Sequence, residues 1–275
     1  MSTTTAIQTN GVKLHWELHG SGEPVALVHG SWGNAMEWEA VAAELAASFQ
    51  VLIYDRRGHS RSERPSTQGS VDEDGDDLAG LLEALDLAPA HVVTNSYGGN
   101  IALRLATRRP DLFRSLACHE PPLFSLLGGD SESREMLEQA TASFGAVADR
   151  IAEMDHDGAA RQFIDEVALG AGGWDTLPAE AKATFIENAP TFLDELNDPD
   201  LLKVDDGALG RLQRPVLLTT GTESPPLFPR VVDRLADLIP HAARQTIPGA
   251  GHEPHQTMPE SYAEMIANRI TGIQG

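Results

Sequence analysis

One serine, two histidines and two glutamates stand in this chain where an acyl-transfer reaction could use them. Ser96 lies in Thr94-Asn95-Ser96-Tyr97-Gly98-Gly99, where the apolar run that begins at His91 breaks and an amphipathic helical pattern starts. A strand that turns sharply into a helix at a serine lifts the hydroxyl clear of the backbone at the carboxyl end of a sheet. That hydroxyl is a weak nucleophile until a base takes its proton, and the base must itself be oriented by a third group. His252 sits in the glycine-rich loop Gly249-Ala250-Gly251-His252-Glu253-Pro254-His255 and is the candidate base, preferred to His255 beyond Pro254. Two glutamates compete for the third place. Glu120 ends the run Leu116 to His119 and is followed by Pro121 and Pro122, and Glu223 lies in Gly221-Thr222-Glu223-Ser224. Neighbouring strand ends converge on one edge of a sheet, so Glu120 is expected to meet the Nδ1–H of His252, with Glu223 as the alternative. The oxyanion formed by the attack needs two preorganised N–H donors. The natural pair is the backbone of Tyr97, just after the serine, and that of Ser31 in the loop His29-Gly30-Ser31-Trp32.

Positioning those residues requires a sheet. Val12 to Leu18 alternates as a half-exposed strand would, whereas Pro24 to His29, Gln50 to Asp55, Leu116 to His119 and Arg214 to Gly221 are continuous apolar runs of the kind that fill a parallel sheet. Ala243 to Ile247 supplies a last strand, and helical patterns fall at Met36 to Phe49, Leu78 to Leu85, Pro229 to Leu238 and Pro259 to Ile270. From about Leu123 to Gln213 the strand-helix rhythm stops and the pattern is mainly helical. The expected fold class is α/β: a doubly wound, mostly parallel sheet built from residues 1–122 and 214–275, with a helical cap insertion over residues 123–213.

Composition narrows the partners. With 275 residues, 41% hydrophobic and 22% charged, the chain can bury a large core. Its net charge of -21 repels nucleic acid and anionic membrane surfaces, so neither is expected. The acidic run Asp72-Glu73-Asp74-Gly75-Asp76-Asp77 is expected to be a solvated helix start. Cys118, the single cysteine, reads as a core residue in a reducing compartment, and the expected location is cytoplasmic, with no leader and no apolar segment of membrane-spanning length. Asp55-Arg56-Arg57-Gly58-His59-Ser60 reads as a structural turn, and no histidine or cysteine spacing suggests a metal.

The stretches Leu27 to Trp38, Asp55 to Ser62, Thr94 to Gly99, Arg214 to Pro226 and Gly249 to Pro259 together resemble the α/β-hydrolase superfamily. The resemblance implies a Ser-His-acid hydrolase, and Ser96 separates the chain from haloalkane dehalogenases and epoxide hydrolases, which place aspartate there. In such enzymes the acid usually follows the strand Val216 to Thr220, at a position that Ser224 occupies here. The step His119-Glu120-Pro121 instead resembles the acid site of zearalenone-type lactonases. Thr94 also departs from the pattern, standing where glycine is usual and tightening the turn. The expected function is cleavage of a carboxylic ester or lactone through an acyl-enzyme, with no cofactor. The expected partner is a small apolar substrate lying against Trp32, Phe124 and Leu127 beneath a lid, a homodimer being left open. A ligand sensor, a lyase, a C–C bond hydrolase and a cofactor-free oxygenase are the competing functions, because fold does not fix chemistry.

Overall fold

The apolar runs become the strands of one eight-stranded sheet, in a computed structural model that describes residues 3–67 and 69–274. The strands are β1 (Thr3–Thr9), β2 (Val12–Gly20), β3 (Glu23–Val28), β4 (Phe49–Tyr54), β5 (Ala90–Asn95), β6 (Phe113–His119), β7 (Val216–Gly221) and β8 (Ala243–Ile247). Their order across the sheet is β1-β2-β4-β3-β5-β6-β7-β8, with β2 antiparallel to both β1 and β4 and all other pairings parallel. Every residue of β5 and β7 is buried. Such strands can be apolar throughout because helices cover both faces.

α1 (Glu39–Leu45), α2 (Val71–Ala84) and α3 (Tyr97–Arg108) alternate with the first strands. Between β6 and β7 come α4 (Arg134–Ala152), α5 (His156–Phe163), a π-helical turn at Ile164–Ala168, α6 (Gly173–Thr176), α7 (Ala179–Asn197) and α8 (Asp206–Leu209). α9 (Leu227–Leu238), α10 (Pro254–Thr257) and α11 (Pro259–Gln274) complete the chain. One face of the sheet packs on Val41 and Leu45 of α1 and on Tyr262, Ile266 and Ile270 of α11. The other packs on α2, α3 and α9 through Leu78, Leu81, Leu103, Leu105, Val231 and Leu235. This is the doubly wound arrangement expected from the sequence. Strand order reverses beside β3, with β4 on one side and β5 on the other, so a crevice opens outside the carboxyl ends of β3 and β5.

Three features differ from the sequence reading. A further strand, β1, precedes the first expected strand and forms a hairpin with it: Thr9 pairs with Val12 across Asn10 and Gly11, whose φ values of 44° and 80° are those of a type I′ turn. α2 starts at Val71 with Ser70 as its cap, so the acidic run lies within its first turns rather than ahead of it. Asp74 and Asp77 of that run are buried, not solvated, because helical periodicity turns them inward onto Arg56 and Arg57. Both ends of the insertion also belong to the body. Leu123, Phe124, Leu127, Leu209 and Leu212 pack into the main core, whereas Val147, Ile151, Ala160, Trp174, Phe185 and Phe192 form a separate cluster.

Candidate active site

Ser96 connects β5 to α3 at φ 50° and ψ −126°, a backbone region that non-glycine residues occupy only when their surroundings force it. Its N–H donates to the His119 carbonyl at 2.9 Å, and its own carbonyl accepts from Gly99 N at 2.8 Å. The helix crosses the end of β3 so closely that a Cβ on Gly98 would lie 2.6 Å from the Val28 carbonyl oxygen. Only glycine fits there. Thr94, expected to tighten or shift the turn, is accommodated because Gly99 has no side chain: a Cβ there would stand 3.3 Å from Thr94 Oγ1 and 2.8 Å from Pro121 Cβ.

Glu120, at the end of β6, also has a positive φ, 48°, and no solvent exposure. Its Oε2 accepts from His252 Nδ1 at 2.7 Å. Its Oε1 accepts from Thr220 Oγ1 at 2.6 Å and from Gly221 N at 2.9 Å, so the end of β7 holds the carboxylate that β6 supplies. Burial pushes the Glu120 carboxyl up, but the hydrogen bond and charge of His252 outweigh it and hold the group down at about 2. For His252 the balance is the mirror image: burial lowers it, and the Glu120 bond and charge, with Glu253 and Glu37 beyond, raise it above its ordinary value. Nδ1–H faces the carboxylate, which leaves Nε2 as the acceptor nitrogen. Phe228 stacks on the imidazole at 4.2 Å between ring centroids, and Asn95 Nδ2 donates to the His252 carbonyl at 2.7 Å. Glu223 is exposed, and among the described residues its carboxylate accepts only from its neighbour Thr222. His255 is buried against Trp38.

The loop after β3 lies against the serine, where a Cβ on Gly30 would come within 3.0 Å of Ser96 Cβ. Neither Ser31 N–H nor Tyr97 N–H has an acceptor among the described residues, and Tyr97 opens α3, where helical geometry leaves the N–H free. Ser96, Ser31, Tyr97 and His252 border one cavity. Its apolar wall comes mainly from Phe124, Phe144, Phe163, Phe185, Phe192 and Phe228, and its polar wall includes Glu37, Glu195 and Glu253. Burial, together with the charge of Asp55, pushes Glu37 up to about 8.

Of the three residues expected against substrate, only Phe124 lines this cavity. Leu127 is turned into the main core one helical turn further on. Trp32 is wholly covered, stacked on Phe163 at 4.8 Å and tilted against Phe192 at 5.1 Å, so it joins the loop to the insertion instead of facing a ligand. Asn95, Arg56, Asn188 and Glu195 bear on the site without having been singled out for it. Arg56 was visible only as part of a turn, and nothing in the pattern of α7 marks two polar residues on its inner face.

With this sheet, elbow and loop geometry in place, the class of the molecule follows. A family model for the alpha/beta hydrolase fold matches residues 23–257, and the chain belongs to that family. Among its curated relatives is an uncharacterized hydrolase, YraK, of Bacillus subtilis, 39% identical over 126 residues that make up 45% of this chain and 46% of that protein. The match thus spans under half of that relative's length. A putative carbamate hydrolase, RutD, of Caulobacter sp. strain K31 is 28% identical over 94% of this chain and 96% of its own. Among solved structures, Est816, an N-acyl homoserine lactone degrading enzyme, superposes with a TM-score of 0.78 at 25% identity, covering 96% of this chain and 99% of its own.

Proposed function

We propose that the chain is a serine hydrolase that cleaves a carboxylic ester or lactone through an acyl-enzyme. The observation that carries the reading is the 2.7 Å bond between His252 Nδ1 and a buried carboxylate, beside a serine at a strained strand-helix turn on the same cavity. In this reading Ser96 Oγ attacks the acyl carbon while His252 Nε2 takes its proton. The carbonyl oxygen becomes an oxyanion and accepts from Ser31 N–H and Tyr97 N–H. Glu120, whose lowered pKa supports its staying ionised, fixes the Nδ1–H tautomer and stabilises the imidazolium. His252 then returns the proton to the leaving alkoxide. A water that gives its proton to the same nitrogen attacks the acyl-enzyme, and release of the acid restores Ser96.

The phenylalanine wall suits an apolar acyl or alcohol group, and the helices between residues 134 and 197 serve as the lid above it. The lactone option draws support from the likeness to Est816. Incubation with a fluorophosphonate and peptide mapping tests the reading. The adduct is expected on Ser96, with p-nitrophenyl ester hydrolysis abolished in Ser96→Ala. A folded Ser96→Ala chain that still hydrolyses the esters at the wild-type rate refutes it.

A further inference from the structure

Arg56 is a cation in the interior, 2% exposed, and such a charge persists only where its donors are met. Nε and Nη2 donate to the two carboxylate oxygens of Asp74, each at 3.1 Å. Nη1 donates to the Gly30 carbonyl at 2.9 Å, and Nη2 also donates to Glu195 Oε1 at 2.9 Å. The guanidinium lies over the Tyr97 ring, 4.5 Å from its centroid. One side chain therefore touches both segments that carry the candidate N–H donors, at the Gly30–Ser31 peptide and at Tyr97.

The Gly30 carbonyl carries the geometric consequence. It also accepts from His29 Nδ1 at 2.8 Å, while His29 Nε2 accepts from Arg56 N at 2.9 Å, which fixes the imidazole as the neutral Nδ1–H tautomer. Carbonyl and N–H of one trans peptide point in opposite directions. Holding Gly30 C=O with two donors thus aims Ser31 N–H the other way. The insertion grips the same loop residue by residue. Glu195 Oε2 accepts from Ser31 Oγ at 2.5 Å, and Asn188 Nδ2 donates to the carbonyls of Trp32 at 3.0 Å and Gly33 at 2.9 Å. Asn188 Oδ1 accepts from Ser60 N at 2.8 Å. Asn188 and Glu195 are two helical turns apart on one face of α7. Trp32 between them has a φ of 68°, a conformation that lasts only where its surroundings over-determine it.

We infer that Glu195 and Asn188 are positioning residues for the oxyanion hole, Glu195 acting through Arg56 and Ser31 and Asn188 through the Trp32 and Gly33 carbonyls of the same loop, so that the hole is aligned only when α7 is seated. The inference rests on the proposed role of Ser31 and Tyr97. It makes the insertion part of the machinery that stabilises the transition state, not merely a cover over the substrate.

The experiment compares the full-length chain with Glu195→Ala, Glu195→Gln, Asn188→Ala and Ser31→Ala, the last keeping its backbone N–H. Arg64→Ala is the control, because Arg64 also ties α7 to the body, through Asp194 and the Pro190 carbonyl, without touching the loop. kcat and KM on a p-nitrophenyl ester, the rate of fluorophosphonate labelling and Tm are measured for each. Losing an oxyanion donor outright costs about 10²–10³-fold in kcat. Misaligning one is expected to lower kcat about 10–100-fold in Glu195→Ala and Asn188→Ala and about 5–20-fold in Ser31→Ala. KM should stay within about threefold, labelling should slow in parallel, and Glu195→Gln should recover part of the rate. Arg64→Ala should lower Tm with kcat within about twofold. Wild-type kcat and labelling in folded Ser31→Ala and Glu195→Gln overturn the inference even if Glu195→Ala fails to fold, as does an equal loss of kcat in Arg64→Ala. No labelling of the wild-type chain overturns the serine-hydrolase reading first, so the two failures are distinct.

Discussion

Glu120→Gln tests the charge relationship at the centre of the site. The native carboxylate accepts from three groups at once, His252 Nδ1 at 2.7 Å, Thr220 Oγ1 at 2.6 Å and Gly221 N at 2.9 Å. Glutamine has one oxygen to offer and two N–H donors. If the oxygen faces His252, the amide nitrogen meets the Gly221 N–H, donor against donor. If the oxygen faces Gly221, His252 must accept at Nδ1 and carry its proton on Nε2, where it can no longer take one from Ser96. The depression of Glu120 from 4.5 to about 2 corresponds to about 3 kcal/mol favouring the anion, at 1.36 kcal/mol per pH unit. Stabilisation of the imidazolium should be larger in the transition state. Neutralising the acid of a Ser-His-Asp triad lowers kcat by roughly 10⁴, or about 5 kcal/mol in the barrier. The expected result is therefore a fall of about 10³–10⁴-fold in kcat for p-nitrophenyl esters, with KM little changed and near-UV circular dichroism preserved. Glu223→Gln should stay within about twofold. A folded Glu120→Gln chain with more than a tenth of wild-type kcat would refute the reasoning, and so would an equal loss in Glu223→Gln.

Three further outcomes follow from the same geometry. His252 must be neutral to act as a base and its pKa is raised, so kcat/KM should increase with pH along a limb centred above the ordinary imidazole value of 6.5; in Glu120→Gln the residual activity should show that limb at lower pH, and an unmoved limb would assign it to another group. Gly98→Ala places a Cβ 2.6 Å from the Val28 oxygen and 2.8 Å from the His29 oxygen, both backbone, and should cost roughly 2–4 kcal/mol in chemical denaturation, an unchanged midpoint being inconsistent with the close crossing. Phe185→Ala enlarges the apolar wall, so the ratio of kcat/KM for p-nitrophenyl octanoate over butyrate should rise about tenfold; a constant ratio would place the acyl chain elsewhere.

Where one physical cause dominates locally, the sequence was enough. Runs such as Val92-Val93-Thr94 and Leu217-Leu218-Thr219 are apolar because helices cover both sides, and that pattern needs no tertiary knowledge. Ser96 and Gly98 were legible for the same reason, since a helix crossing a strand end at van der Waals distance demands small residues there. The buried ion pairs were not. Asp74 and Asp77 look like any acidic helix start until the neighbouring turn delivers Arg56 and Arg57 into the interior. Trp32 and Leu127 were misplaced because an aromatic or aliphatic residue near a site has two apolar destinations, the cavity and the packing behind it. Only the φ of Trp32 and the rings on α5 and α7 decide between them.

The position of the carboxylate is where sequence and fold meet most instructively. Adjacent parallel strands lie about 4.8 Å apart, so a side chain from the end of β6 can reach a point that β7 also borders. The positive φ at Glu120 turns the side chain toward β7, and its N–H is anchored on the Thr219 carbonyl at 3.1 Å. β7, whose own following loop carries Glu223 out into solvent, contributes the Thr220 hydroxyl and the Gly221 N–H that bind Glu120 from below. The two strand ends thus divide the task, one supplying the charge and the other the donors that keep it ionised. A carboxylate placed on β7 instead would have to displace those donors. Placing an acid in the loop after β7, as Ser224→Asp in a Glu120→Gln background, is accordingly expected to recover less than a tenth of wild-type kcat, because Gly221 N–H stays committed to residue 120; full recovery would show that the two strand ends are interchangeable.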